Sequence, residues 1–256
     1  MALIEIKLNN SAALGKMTSA LALVPEGKAG PFPVFYLLHG LSDDHTGWVR
    51  RTSIELYVRE EPMIVVMPNG ERSWYTNAQG NPMAQFEDYI TRELIGFVDS
   101  TLQTVSTRAG RAIGGLSMGG YGAVKLALKH PELFCAAASL SGALVINGAF
   151  VGDEARDKEM RLIFGEDMRG GEEDILAIAE RADRSTLPAI RIDCGTEDWL
   201  LESNRTTHAR FEELHIPHEY EEYPGDHNWD YWDLHIQDAL VFIKRHLGIT
   251  QGDGNA

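Results

Sequence analysis

Cysteine is scarce in this sequence: only Cys135 and Cys194 occur among 256 residues, and both lie in apolar stretches typical of strands. Two such cysteines do not form the framework of a disulfide-stabilised secreted domain, so we expect buried free thiols. Long apolar runs are also missing, since no stretch approaches the ~20 apolar residues of a membrane span. The start, Met1–Leu8, shows no basic segment followed by an apolar run, so we expect no secretory signal and a cytoplasmic location.

Positive charge is limited too. Lysine and arginine total 23, against 38 aspartates and glutamates, which gives a formal net charge of −15. This balance disfavours nucleic acid and anionic membranes as partners. A solvated acidic surface is the simpler interpretation of the charge. The partner expected from the motifs described below is a small molecule, and no cofactor is expected. The sequence leaves open whether the chain forms a homo-oligomer.

Internal repeats and linkers are absent from the sequence, so we expect one domain over residues 1–249, followed by a frayed tail at 250–256. Predicted strands and helices alternate, which favours an α/β fold with a mostly parallel sheet and helices on both faces. The predicted strands are Ile4–Leu8, Met17–Val24 (an antiparallel leading pair), Val34–Leu38, Met63–Met67, Arg111–Gly115, Phe134–Leu140, Ile190–Cys194 and Glu219–Tyr223. The predicted helices include Gln85–Leu102, one following Ser117, and Trp229–Leu247.

The segment Gly142–Leu187 is longer than a simple crossover between two strands. It contains two charged, helix-like pieces, Asp153–Phe164 and Glu172–Arg181. In a sheet enzyme such a segment can cover the active site as a cap. A surface excursion without function is the equally weighted alternative.

A glycine-rich stretch, Ala112–Gly122, places Ser117 at the centre of a G-x-S-x-G motif. This motif is typical of a nucleophilic serine on a tight turn from a strand into a helix. Apolar residues at helical spacing from Tyr121 onward predict that helix. A serine at a helix N-terminus lies where free N–H groups favour negative charge. The alternative is a glycine–serine turn that only connects the two elements.

A catalytic serine needs a neighbouring base, and histidine suits that role near neutral pH. His227 is the best placed of nine histidines, because it lies in the loop between the last predicted strand and the last helix. Asp198 follows the strand Ile190–Cys194 and is our first choice to orient the base; Asp193 and Glu197 are the alternatives. The chain order serine, acid, histidine is the order used by α/β hydrolases.

The oxyanion of an acyl-transfer intermediate needs hydrogen-bond donors, usually the N–H after the nucleophile and one from the loop after an early strand. We predict the first donor at Met118. The second is predicted at Leu41, with Ser42 as the alternative. His39 is expected to pack or hydrogen-bond beneath this loop.

Two groups of polar residues are assigned structural roles. The acidic turn Asp43-Asp44-His45 is interpreted as a helix cap before Thr46, so no metal is expected. We expect surface or packing roles for the histidines that fall in helical patterns, namely His208, His215, His235 and His246.

The combined motifs resemble the esterase D branch of the α/β hydrolases, which includes S-formylglutathione hydrolases, tributyrin-type carboxylesterases, feruloyl esterases and mycolyl transferases. The chain is most similar to the tributyrin-esterase-like members, because S-formylglutathione hydrolases usually carry Gly-Leu-Thr-Cys where this chain has Gly40–Asp43. The resemblance implies a serine carboxylesterase acting on short-chain acyl or aryl esters. The matching segments are Tyr36–Leu41, Pro68–Asn77, Gly115–Ala123, Gly195–Asp198 and Gly225–Trp229.

Aromatic residues flank these motifs, and we predict that Trp74, Tyr75, Trp199 and Trp229 line a substrate pocket; ordinary aromatic packing is the alternative. Other functions stay open at this point. They are an S-formylglutathione hydrolase or feruloyl-type esterase, an acyltransferase with the same triad, a peptidase or amidase, and a catalytically inactive ligand-binding module.

Overall fold

One eight-stranded sheet organises the computed structural model, which describes residues 1–146 and 153–249. In chain order the strands are β1 (Ala2–Ser11), β2 (Lys16–Val24), β3 (Val34–Leu38), β4 (Ile64–Pro68), β5 (Arg111–Leu116), β6 (Ala136–Leu140), β7 (Ala189–Gly195) and β8 (His218–Tyr223).

The spatial order of the strands is β1-β2-β4-β3-β5-β6-β7-β8. The pairs β1–β2 and β2–β4 are antiparallel, and every pair from β4–β3 to β7–β8 is parallel. The prediction of a mostly parallel α/β sheet with an antiparallel leading pair is therefore confirmed. Parallel strands end at one common edge, so the loops after β3, β5, β7 and β8 meet there.

Helices cover both faces of the sheet among the described residues. In chain order they are α1 (Gly47–Arg51), α2 (Ile54–Val58), α3 (Phe86–Asp88), α4 (Ile95–Thr101), α5 (Met118–Lys129), α6 (Glu154–Phe164), α7 (Ile175–Arg181), α8 (Leu201–Glu213) and α9 (Trp229–His246). Apolar residues of α1, α2 and α9 pack on one sheet face, and those of α3 to α8 pack on the other.

The helix predicted over Gln85–Leu102 is not uniform. A π-helical turn, Tyr89–Leu94, separates α3 from α4. This wider turn keeps Tyr89 and Leu94 in the core while Glu87 faces charged partners on α5. The spacing of apolar residues in the sequence does not distinguish a π-helical turn from an α-helical turn. The sequence therefore predicted one helix without this interruption.

Two helices lie in the long segment between β6 and β7. Asp153 caps α6 by accepting hydrogen bonds from the N–H groups of Ala155 and Arg156, and Asp174 caps α7 in the same way at Leu176. These caps place the helix starts later than predicted. Residues 147–152 of the predicted cap and the predicted frayed tail at 250–256 lie outside the described residues. The single domain over 1–249 stays a prediction.

Both cysteines are free thiols, as the composition indicated. Cys194 is buried in β7, whereas Cys135 is partly exposed just before β6. No helix of the described residues combines the length and apolarity needed to cross a bilayer.

Candidate active site

Ser117 occupies the turn between the end of β5 and the start of α5. Its backbone is left-handed, with φ 53° and ψ −117°, a strained conformation for a residue with a side chain. The turn is held by backbone bonds: the Ser117 N–H donates to the Leu140 carbonyl at 3.0 Å, and its carbonyl accepts from Tyr121 and Ala143. The side chain therefore points outward from a backbone fixed on both sides.

Close packing explains why glycines flank this serine. A Cβ on Gly115 would lie 2.6 Å from the Gly119 carbonyl carbon, and one on Gly119 would lie 2.5 Å from the Leu38 carbonyl oxygen. Both distances are shorter than real Cβ contacts, so any side chain would open the turn and push α5 away from β3.

The structure brings Ser117, His227 and Asp198 together. His227 Nε2 lies 3.0 Å from Ser117 Oγ, and His227 Nδ1 lies 2.8 Å from Asp198 Oδ2. The Asp198 side chain is fully buried, and its other oxygen accepts the Leu200 N–H at 2.8 Å. An acceptor at Nδ1 fixes the ring with its Nε2 lone pair toward the serine, which is the orientation that a general base requires.

The two alternative acids have other partners. Asp193 is buried inside β7, where its carboxylate accepts the Tyr231 hydroxyl at 3.1 Å. Burial raises the pKa of Asp193 to about 7, although the neighbouring Arg191 opposes this rise. Glu197 accepts the N–H of Gly225, in the loop that carries His227.

Backbone contacts join the loop after β7 to the loop after β8. The Thr196 N–H donates to the Tyr223 carbonyl at 2.8 Å, and the Glu197 N–H donates to the Gly225 carbonyl at 2.9 Å. A Cβ on Gly195 would lie 2.2 Å from the Gly225 oxygen, so the two loops approach as closely as backbone allows. The acid and the histidine are thus carried by one connected unit.

The predicted oxyanion donors lie on either side of the serine. Met118 is the first residue of α5, so its N–H has no acceptor within the helix. Leu41 and Ser42 both line the cavity beside Ser117, and within the described part of the chain neither N–H makes a hydrogen bond. A Cβ on Gly40 would lie 3.7 Å from Ser117 Cβ, which places this loop directly against the turn that carries Ser117.

His39 supports that loop from below. Its Nε2 accepts the Gly70 N–H at 2.8 Å, and its Nδ1 donates to the Gly40 carbonyl at 2.7 Å. Burial lowers the pKa of His39, in keeping with this neutral ring. Asp44 accepts both the N–H and the hydroxyl of Thr46, at 2.8 and 2.6 Å, as expected of a residue that caps the turn before α1.

A cavity of about 600 Å³ opens above Ser117 and His227. Trp74, Trp199 and Trp229, three of the four residues predicted to line a substrate pocket, line this cavity. Trp199 is 65% exposed and lies 5.2 Å from the His227 ring, so it forms the rim.

Tyr75 is a correction to the predicted pocket, because it does not line the cavity. Its side chain is fully buried, and its hydroxyl donates to the His39 carbonyl at 3.0 Å. Trp74 and Tyr75 both have left-handed backbone, with φ 56° and 52°, so the turn sends the two rings in different directions. Tyr75 supports the loop after β3 from beneath.

Comparison with known proteins decides the family. The Esterase family model matches residues 11–243, which is most of the chain. This chain belongs to the Esterase family. An acetyl esterase of Caldicellulosiruptor saccharolyticus is 30% identical to it over 266 aligned residues, which cover 96% of this chain and 99% of that protein.

Solved structures give the same assignment. FphF, a fluorophosphonate-binding serine hydrolase of Staphylococcus aureus, matches with a TM-score of 0.86 and 30% identity, covering 94% of this esterase and 98% of that chain. The S-formylglutathione hydrolase FrmB of the same species matches with a TM-score of 0.83, the same identity and the same coverage. The predicted resemblance to esterase D-type α/β hydrolases is confirmed, and the protein is an esterase.

Sequence reasoning missed one aromatic residue of this esterase's cavity. Trp232 lines the cavity, and its ring meets the His227 ring edge-on at 4.9 Å. Helical spacing offered a signal, because residues three apart share a helix face and Trp229 was already placed at the start of α9.

The buried Lys125 was also missed. Its ammonium donates to the Tyr75 carbonyl at 2.7 Å, to the Thr76 hydroxyl at 2.8 Å and to the Glu173 carboxylate at 2.7 Å. Lys125 is one of the residues of α5, so this contact ties the Trp74–Tyr75 turn and the β6–β7 segment to the helix that follows Ser117. We call Lys125, Glu173 and the neighbouring Lys129, Glu87 and His130 the Lys125 cluster.

Charge complementarity holds this cluster together. Lys129 bridges Glu173 at 2.9 Å and Glu87 at 2.8 Å. Burial by itself would raise the pKa of Glu87, but hydrogen bonding to His130 and the charges of Lys125 and Lys129 outweigh it and hold that pKa well below its usual range.

Proposed function

We propose that this esterase is a serine carboxylesterase that cleaves short-chain acyl or aryl esters through an acyl-serine intermediate. The observation that carries the proposal is the continuous hydrogen-bonded contact from Asp198 through His227 to Ser117, at 2.8 and 3.0 Å. The position of Ser117 at the N-terminus of α5 supports it, because helix N–H groups stabilise negative charge at that point.

In the first step, His227 Nε2 accepts the hydroxyl proton as Ser117 Oγ attacks the ester carbonyl. Asp198 stabilises the imidazolium that forms, and the N–H groups of Met118 and Leu41 donate to the oxyanion. The protonated His227 then gives its proton to the departing alcohol, which leaves an acyl group on Ser117.

In the second step, a water molecule takes the place of the alcohol. His227 removes a proton from this water as its oxygen attacks the acyl carbonyl. Collapse of the second tetrahedral intermediate returns the proton to Ser117 Oγ and releases the carboxylic acid. The enzyme is thereby restored.

The cavity supports a small ester. Its volume of about 600 Å³ lies in the ordinary range for small-molecule sites, and its tryptophans offer flat apolar surfaces to an acyl chain or an aromatic ring. Relatives named for acetyl esterase and S-formylglutathione hydrolase activity support oxygen esters and thioesters as the classes to compare. Cytoplasmic location and the absence of nucleic-acid partners remain predictions, and the oligomeric state stays open.

Fluorophosphonate labelling combined with hydrolysis tests the proposal. We expect wild type to react covalently at Ser117 and to hydrolyse p-nitrophenyl acetate and butyrate faster than the octanoate. Ser117→Ala should keep its fold and lose labelling and at least ~10⁴-fold in kcat. Ser100→Ala, a change at an exposed serine of α4, is the control that should behave like wild type.

Labelling of Ser117→Ala at the wild-type level would overturn the assignment of the nucleophile. Methyl ferulate and S-formylglutathione in the same panel distinguish the alternative esterases. Addition of an acceptor alcohol distinguishes the acyltransferase, because transfer yields a new ester instead of free acid.

A further inference from the structure

A second cluster of ionisable side chains lies outside the catalytic cavity, between α8 and the edge strand β8. It consists of His208 and Glu212 on α8 and His218 at the first position of β8. One ligand atom from each of the three lies within 4.8 Å of the other two. His208 and Glu212 are four residues apart, so both project from one face of the helix toward His218.

The ring of His218 is held in the orientation of a metal ligand. Its Nδ1 lies 2.8 Å from the Ile216 carbonyl and donates to it, which leaves the Nε2 lone pair directed at His208. A backbone acceptor on the far ring nitrogen is the usual second contact of a metal-binding histidine. Phe211 packs edge-on against this ring at 5.3 Å.

The other two members are also arranged for binding. The His208 ring stacks on Tyr220 with centroids 4.2 Å apart, and its Nδ1 lies 2.8 Å from His218 Nε2. Within the part of the chain that the structure describes, the Glu212 carboxylate makes no hydrogen bond or ion pair. An acceptor-only group beside two histidine nitrogens is therefore available for a cation.

We propose that His208, Glu212 and His218 bind one divalent transition-metal ion of the zinc type. Two imidazole nitrogens and a carboxylate oxygen suit Zn²⁺, Co²⁺ and Ni²⁺, and water completes the coordination. Tetrahedral coordination at ~2.05 Å requires ~3.3 Å between the two nitrogens, so His208 has to withdraw by about half an ångström. The proton on His208 Nδ1 moves to Nε2, and the ion takes its place between the rings.

This site is remote from ester cleavage. His218 begins β8 and Tyr223 ends it, so the site lies ~16 Å along the strand from the loop that carries His227. The ion would join α8, which follows the Asp198 loop, to β8, which precedes the His227 loop. It would therefore stabilise the fold without entering the chemistry. The proposal departs from our expectation of no metal and of surface or packing roles for His208.

Zinc titration of the untagged, chelator-treated full chain tests the site. Calorimetry at pH 7.5 should give a stoichiometry of one Zn²⁺ per chain. Co²⁺ bound at the same site should show the visible d–d absorption bands that are typical of cobalt with a low coordination number. With zinc at ~100 times its Kd, the thermal midpoint should rise by several degrees, because the ion binds the folded chain.

Matched variants assign the ligands. We expect His208→Gln and His218→Gln each to weaken zinc binding at least 100-fold, and Glu212→Gln to weaken it ~10-fold. The control is His215→Asn, at an exposed histidine three residues from both Glu212 and His218. Its φ of 53° is a conformation that asparagine tolerates. It should bind zinc like wild type.

Hydrolysis of p-nitrophenyl acetate by each zinc-free variant checks that it is folded. Absence of saturable binding, or equal binding by wild type and the double variant His208→Gln/His218→Gln, would overturn the proposal. Loss of binding in His215→Asn with retention in His208→Gln would also overturn it, because the ligands would then be different.

Discussion

The cavity beside Ser117 and His227 has two unlike walls. The sheet wall consists of Gly40, Leu41, Ser117 and His227, which lie at the ends of β3, β5 and β8. The insertion wall consists of Val145, Ile146 and Arg156, from the segment between β6 and β7. Backbone bonds between strands and loops hold the first wall. In the second, α6 buries only its last two residues, Ile163 and Phe164.

This difference predicts that substitutions in the two walls affect different kinetic properties. Positions on the sheet wall cannot shift without disturbing the strand pairs beneath them, so we expect substitutions there to change kcat. Side chains on α6 are mostly exposed, and the helix is attached by the Arg72–Glu159 ion pair and by backbone bonds to Gln79 and Gly80. We expect substitutions there to change substrate preference and leave the chemical step intact.

Among substitutions that keep Ser117, the largest effect is expected from Asp198→Asn on the sheet wall. The amide cannot hold His227 in the required tautomer, so kcat should fall by ~10³–10⁴-fold with little change in KM. Steady-state kinetics on p-nitrophenyl butyrate measures this. Glu197→Gln is the adjacent control and should keep its kcat within ~10-fold of wild type. A larger loss of kcat in Glu197→Gln, with Asp198→Asn still active, would mean that Glu197 and not Asp198 orients His227.

Lys125→Met should have the next largest effect, because Lys125 ties α5, the helix after Ser117, to Glu173 in the segment that supplies the insertion wall. Removal of one partner from a buried ion-pair cluster costs about 3–5 kcal/mol of unfolding free energy. Urea denaturation measures the loss. Lys158→Met, at an exposed lysine of α6, should stay within ~0.5 kcal/mol of wild type. Equal stability of the two variants would mean that the walls are not joined through Lys125.

The pH dependence of stability should distinguish Asp193 from the other sheet residues. The folded chain raises its pKa from 3.8 to about 7, so folding retains a proton that the unfolded chain releases. The contribution of Asp193 to the free energy of unfolding is complete below pH ~4 and is lost as the pH rises through about 7. Unfolding free energies measured from pH 4 to 8 should therefore fall more steeply for wild type than for Asp193→Asn. Parallel curves would contradict this.

The smallest effect is expected at the cavity arginines. Arg156→Ala, on the insertion wall, should lower kcat/KM about threefold for the p-nitrophenyl monoester of succinate, because an exposed charge pair contributes little in water. Kinetics on neutral p-nitrophenyl butyrate should be unchanged. Arg51→Ala compares the same charge on the opposite side of the cavity. A drop on the neutral ester would show that Arg156 acts on packing instead of charge.

The sheet was accessible to prediction because its signals are local. The run Val34–Leu38 is apolar throughout and predicts β3 with the bounds that the structure has, since a strand covered on both faces needs no polar residue. The polar positions Ser117, Asp198 and His227 each follow a predicted strand. Parallel strands bring such positions to one edge, so their proximity followed from chain order alone.

Features that depend on distant contacts were not accessible. Lys125 lies in a helical pattern where a lysine normally reaches solvent, and its burial depends on Glu173, 48 residues away. The different locations of the Trp74 and Tyr75 rings, one at the cavity and one in the core, depend on left-handed backbone that neither residue favours. The pairing of His208 with His218 depends on how α8 packs beside the edge of the sheet.

The close approach of Gly195 to Gly225 has a consequence for engineering. The loops bearing Asp198 and His227 share backbone hydrogen bonds and no spare volume, so neither can be lengthened or exchanged alone. A graft that aims to alter this esterase should transplant residues 195–199 and 223–229 as a matched pair. A single replacement loop from another enzyme would not match the backbone hydrogen bonds and the close glycine contact that the remaining loop requires.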